Sequence, residues 1–307
     1  LNSTMKVDKM FYIRLTAALS ALLILSACGG SREAIWDRET KVADGAGISD
    51  DAASVLSAEA DAAWALRKEP AQTKLAIDKW EEMLASSPKD AGLLTKLAQA
   101  YRFYGDLHQR LAGNKDGMLA SLEKGVTLGE RAMVASSTEF EARVKAGEKP
   151  ENAVSSIPKE GQPAMYWYSV CLGKWANEQG IAALLKYKTR IYKIMERVLA
   201  IDPTYFYGAP HRYFGVYFAK APGFAGGDMG KAKMHFEKSI ELAPDYLATK
   251  VLYAEFWAAK EDEEDLFYRL LDEVIAGDAT KIPAVAPEQV FEIEKAKRLK
   301  AEGEDIF

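Results

Sequence analysis

From Asp50 onward the chain is a succession of helix-favouring stretches cut by short turn signals, and that pattern leaves it few folds to choose from. Ala, Leu, Glu, Lys and Met dominate, and aromatic residues fall three and four apart. No run of alternating β-branched residues is long enough for a strand. Breaks come at Pro70, Ser87-Pro88, Gly113-Asn114, 147–163, Asp202-Pro203, 222–227, Ala243-Pro244 and 277–287. Helices joined by turns this short pack as antiparallel neighbours, so an all-α body over 51–307 is expected.

The residues ahead of this body read as a targeting segment and a tether. Lys6, Lys9 and Arg14 precede an apolar run over 15–25 that ends in Leu25-Ser26-Ala27-Cys28. That run falls short of the roughly 20 residues a membrane span needs, which predicts a signal peptide over 1–27 that is removed. Leu-Ser-Ala-Cys is similar to the bacterial lipobox, which implies cleavage before Cys28 and a diacylglycerol on its sulfur. The alternative is a plain signal peptide with a coincidental cysteine. Met5 and Met10 are both candidate starts. Gly29 stands where inner-membrane lipoproteins of enteric bacteria carry aspartate, so outer-membrane attachment on the periplasmic side is expected. Residues 28–50 are small and polar and read as a flexible lipid-anchored linker. With Cys28 lipidated, Cys171 is the one remaining thiol, which leaves neither a disulfide nor a cysteine zinc site.

A net charge of −5 with no long block of Lys and Arg lacks the electrostatic footprint of a nucleic-acid binder. No phosphate-cradling loop, His-Glu-x-x-His, Gly-x-Ser-x-Gly or dinucleotide fingerprint occurs, so neither an enzyme nor a cofactor is expected. His108, His211 and His235 lack the spacing of a local metal pair, and a metal would need tertiary convergence.

Several helix pairs follow the tetratricopeptide pattern, in which a small-residue-lined first helix packs on a second that ends before a proline. Ala232, Phe236, Ser239 and Pro244 fit the second helix, as do Ile191, Met195 and Val198 ahead of Pro203. Leu94, Leu97, Ala98 and Tyr101 fit the first, as do Tyr168, Cys171, Leu172 and Trp175. Lys250 interrupts the third such set, Tyr253, Ala254 and Trp257. The expected architecture is antiparallel pairs stacked as a degenerate tetratricopeptide-like right-handed solenoid. The distance from Pro203 to Pro244 exceeds a repeat of about 34 residues, and the surplus lies in 219–227.

The stretch 202–258 closely resembles the T component, TatT, of tripartite ATP-independent periplasmic (TRAP) transporters. The resemblance rests on Gly208-Ala209-Pro210-His211, Pro222-Gly223, Gly226-Gly227-Asp228, His235-Phe236-Glu237-Lys238 and Tyr253-Ala254. Tyr166-Trp167, 89–104 and a charged C-terminal helix ending in Asp305-Ile306-Phe307 extend it. It implies a lipid-anchored periplasmic homotrimer with a pore, working beside a solute-binding P subunit. The tract 142–163 is longer and more polar than the family leads one to expect.

Tyr207, His211 and Arg212 form the leading candidate for a polar group in an aromatic-lined pocket, where an arginine holds a carboxylate by a bidentate pair. The competing reading has His211 and Arg212 capping or packing a helix start. Phe224, Gly226, Gly227 and Asp228 form a shaped loop that is a second candidate contact surface, with Asp228 read first as the N-cap of a helix over 229–242. The acidic run 261–265 and the cations Lys295, Lys297, Arg298 and Lys300 read as solvated faces. Together these features point to a non-catalytic lipoprotein that binds a P subunit and helps pass a small, apolar organic acid. A tetratricopeptide scaffold for outer-membrane or envelope assembly is the alternative, and an enzyme centred on His211 is a third class.

Overall fold

The computed structural model describes residues 32–37 and 47–307. The signal segment 1–27, Cys28 and the linker residues 29–31 and 38–46 lie outside the described residues. Within them all regular structure is helical, as the composition and turn signals predict. Helices α1 (Asp50–Ala65) and α2 (Pro70–Ser86) form the first pair. Helix α3 (Ala91–Phe103), continued by a π-helical turn at Tyr104–Gln109, packs on α4 (Lys115–Ser136). Two short helices, α5 (Thr138–Lys145) and α6 (Pro150–Ala153), lead to the pair α7 (Gln162–Gln179) and α8 (Ile181–Ile201). Next come α9 (Tyr205–Lys220) with α10 (Met229–Leu242), then α11 (Leu247–Tyr253), its π-helical continuation Ala254–Ala258, and α12 (Glu264–Ile275). The last is α13 (Ala286–Ala301).

The helix starts are fixed locally. Asp90, Asn114 and Asp228 each accept a hydrogen bond from the backbone N–H three residues on. The periodic positions read from the sequence form the core. Leu94, Leu97, Ala98, Tyr168, Cys171, Leu172, Trp175, Phe236, Tyr253 and Trp257 are all buried. Lys250 breaks the pattern because it sits at the rim, paired with Glu273 at 2.8 Å. Gly125 and Gly129, one turn apart on α4, explain how closely α4 and α7 cross. A Cβ at either would come within 2.8 Å of Cys171 Sγ or of the Tyr168 Cα. Burial there pushes the Cys171 thiol up to about 12, so it is an inert packing group.

The polar tract 142–163 is not a solvated excursion. It folds into the end of α5, α6 and short 3₁₀ turns that bury Val144, Ala153, Val154 and Ile157 beside Phe140. Part of the stretch read as linker also packs. Ile35–Asp37 is a 3₁₀ turn whose Trp36 meets Phe140 and Tyr168 edge-on at 6.1 and 6.0 Å. Ahead of it, Arg32 is ion-paired with the fully buried Glu130 of α4.

Helix α13 crosses from one end of the chain's helical order to the other. Its Glu288 accepts from Arg67 Nε at 3.0 Å in the α1–α2 turn, and Phe291 packs on Phe103 and His108, each at 5.9 Å. Its Gln289 bonds both Leu247 N at 2.8 Å and the Asp245 carbonyl at 2.7 Å, before α11. The C-terminal helix is therefore a strap joining the first helix pair to the last. Among the described residues no helix is long and apolar enough to cross a membrane.

Candidate functional site

The residues singled out on α9 and the following loop separate into two groups. At the start of α9, Phe206, Tyr207 and Gly208 all have left-handed dihedrals, with φ of 43°, 60° and 68°. Two of the three carry a Cβ and need outside support to hold such a conformation. Arg212 supplies it. Its guanidinium donates to the carbonyls of Tyr207 at 2.9 Å and Phe206 at 3.3 Å and lies 4.3 Å from the centre of the Tyr246 ring. Arg212 thus serves the turn at the helix start rather than an open carboxylate pocket. Tyr207 stacks on Tyr246 at 5.1 Å and lines an open hollow of about 460 Å³ with Asp202, Thr204, Tyr205, Phe206, Leu242 and Ala243.

His211 and His235, 24 residues apart, converge with their Nδ1 atoms 2.9 Å from each other. This convergence was not legible in the spacing. Among the described residues no third His, Cys, Asp or Glu joins them to complete a metal site. Burial, reinforced by His211 and Lys231, lowers His235 to about 4, and burial lowers His211 as well. A histidine whose folded pKa lies below its unfolded value of about 6.5 is held neutral by the fold. Its contribution is complete above about pH 6.5 and is lost as the pH falls toward 4. The urea midpoint is expected to drop across that window, and to drop less in His235→Phe. An identical pH slope in the variant would remove the pair as its source.

The second group lies about 18 Å of helix away, at the far end of α9. Asp228 caps α10 as read, donating nothing and accepting from Lys231 N at 2.9 Å. Gly226 has φ 93°, the expected left-handed glycine. Gly227 does not; its role is close approach. A Cβ there would stand 1.8 Å from the Ala221 carbonyl oxygen, which is backbone and cannot swing aside. Gly227→Val is expected to lower stability by about 1–3 kcal/mol, the usual cost of overpacking. An unchanged melting curve would show that the loop repacks freely. Phe224 stands 96% exposed.

A third cluster, absent from the sequence candidates, lies in the interior facing the strap. Arg102, Asp106 and Arg110 follow one another at four-residue spacing on α3 and its π-helical extension. Asp106 is 7% exposed and receives Arg102 at 2.8 Å, Arg110 at 3.1 Å and Lys174 of α7 at 2.7 Å. Burial alone would raise its pKa, but Lys174, Arg102 and Arg110 together hold it well below the usual carboxylate range. Burial lowers Lys174 and raises Glu292, which faces the cluster from α13. Lys174 nevertheless keeps 39% of its side chain open to solvent, and Arg102 Nε is buried without a hydrogen-bond partner among the described residues. The cluster therefore reaches solvent through Lys174 and Arg110 and keeps one unpartnered donor, Arg102 Nε, among the described residues. The charge spacing was visible in the sequence, but nothing in it said that this helix face turns inward.

Helices packed in pairs and strapped by α13 define an all-helical protein. Residues 59–307 match the TRAP transporter T-component family, TAtT, and the chain belongs to it. Its role is that of a TRAP transporter T-component, and its partners are other TRAP subunits. No curated protein matches the chain.

Proposed function

We propose that this T-component is a non-catalytic periplasmic lipoprotein, anchored through Cys28 at the outer membrane. In this reading its helix pairs stack as a degenerate tetratricopeptide-like solenoid and assemble as a homotrimer. It engages the solute-binding P subunit and helps pass a small organic anion through its interior. The observation that carries the reading is the cluster around Asp106. Three cations surround one buried carboxylate, Lys174 stays solvent-accessible and Arg102 holds a spare donor. A carboxylate reaching the cluster from solvent meets charge-assisted donors, the buried Arg102 being the less screened of them. The aromatic residues beside the cluster, Tyr166 and Tyr246 among them, suit an apolar tail. In this reading the ligand meets the protein at the Asp106 cluster rather than at Arg212.

Titration calorimetry with straight-chain monocarboxylates of four to eight carbons tests it. Lys174→Met is the informative variant, because Asp106 keeps two arginine partners and the fold is retained. The variant is expected to bind the tightest of these acids at least tenfold more weakly, a loss of about 1.4 kcal/mol. Equal affinity in both proteins would remove the interior site from the account.

A further inference from the structure

Helix α13 sets three charged side chains on the face it turns to the body. Glu288, Glu292 and Lys295 follow one another at i, i+4 and i+7 spacing. Glu288 accepts from Arg67 Nε at 3.0 Å, and Lys295 is ion-paired with Glu255. Glu292, between them, is partly buried and takes no hydrogen bond or ion pair from any described residue. It faces Arg102, Asp106 and Lys174 instead.

Charge balance gives this unbonded carboxyl a role. Asp106 meets Arg102, Arg110 and Lys174, Glu178 pairs with Arg110 at 2.9 Å, and Glu255 pairs with Lys295. Against these four cations the group is neutral only when Glu292 is ionised as the fourth carboxylate. A ligand carboxylate that joins Arg102 and Lys174 therefore leaves one negative charge in excess in a partly desolvated place. That excess is costly unless a proton comes with it. The carboxyls are not equal candidates for the proton. Asp106 has three cationic partners that hold it well below the usual carboxylate range, and Glu178 and Glu255 each keep a cation. Burial raises Glu292, with Lys295, Arg102 and Lys174 opposing and Asp106 adding to the rise. A second carboxylate brought beside it acts in the same direction as Asp106. Tyr166 and Tyr246 also border Arg102, and burial pushes the Tyr246 hydroxyl and the Cys171 thiol up, so both of those stay protonated.

We infer that an organic carboxylate entering the cluster drives a proton from solvent onto Glu292, so that one anion is bound together with one proton and is released as the pH rises. A Glu292 oxygen gains the proton, the ligand stays ionised, and no bond within it changes. The inference rests on the reading of the Asp106 cluster as the ligand site.

Titration calorimetry of hexanoate into the chain carrying Cys28→Ser, which needs no detergent that would compete for the probe, tests it. Phosphate and Tris differ widely in ionisation heat, so the same titration in both at pH 7 counts the protons taken up. The parent is expected to take up more than half a proton per anion, and its affinity to fall at least tenfold from pH 6 to pH 8. Hexanoate is ionised throughout that range, so the slope belongs to the protein. Glu292→Gln is expected to bind at least about fivefold more tightly at pH 8 and to lose both the proton uptake and the pH slope. Hexanoate binding by the parent with half a proton or less overturns the inference and leaves the ligand site standing. Uptake that persists in Glu292→Gln assigns the proton to another group and overturns the inference as well. Hexanoate that binds the parent at neither pH overturns the inference and the ligand site with it. The parent comparison stands without the variant.

Discussion

Replacing Asp106 by alanine is expected to destabilise the protein by about 3–5 kcal/mol, the cost of breaking a buried ion cluster by removing its central acid. In a body of this size that corresponds to a fall in Tm on the order of 10 °C. The reason is the asymmetry of the cluster. Arg102 and Lys174 are themselves partly desolvated, and without Asp106 they repel one another with only Glu292 facing them in its place. Lys174→Met should recover part of the loss in the double variant. The pH dependence has a definite sign. Because the folded pKa of Asp106 lies below the ordinary value of about 3.9, its contribution is complete above that value and is lost only as the pH falls further toward the depressed one. Denaturant unfolding at pH 7 and pH 3 measures both effects. A variant within 1 kcal/mol of the parent at pH 7 would mean that water, not protein, carries the cluster.

Arg32→Ala is expected to cost about 3 kcal/mol for a related reason. Glu130 is fully buried, and Arg32 reaches it through both terminal nitrogens while Ile35 N donates at 3.2 Å. Burial pushes Glu130 above the ordinary carboxylate range, and the Arg32 guanidinium is the main influence opposing it. Without Arg32 the carboxyl must take a proton or keep an unpaired charge inside α4. Glu130→Gln in the Arg32→Ala background is therefore expected to restore most of the stability. Equal unfolding curves for parent and Arg32→Ala would show that 32–37 does not hold to the body in solution.

The helices, their turns and most of the core could be read from the sequence because each rests on local rules. Asp228 caps α10 because a short acceptor precedes a helix-forming run, and Leu94, Tyr168 and Phe236 are buried because their spacing repeats a helix face. What escaped the reading depends on residues far apart. The Glu288–Arg67 contact that straps α13 to the first pair joins positions 221 residues apart, and no local pattern announces it. The packing of 142–163 was not legible because its buried residues are separated by polar ones, which hides any period. For Arg212 the sequence left a ligand clamp and a helix-start role both open, because nothing in Phe206-Tyr207 warns of a left-handed turn whose carbonyls require a donor. The interior cluster was half visible, as spaced charges on α3 whose inward direction only packing decides.

Purification of the full-length chain from its own membranes, with in situ cross-linking and light scattering of the eluted complex, tests the central claim most directly. A trimer that brings down a periplasmic solute-binding protein, with cross-links lost when that protein is absent from the cell, is the result this account predicts. A monomer recovered with β-barrel assembly proteins and no solute-binding protein would contradict it.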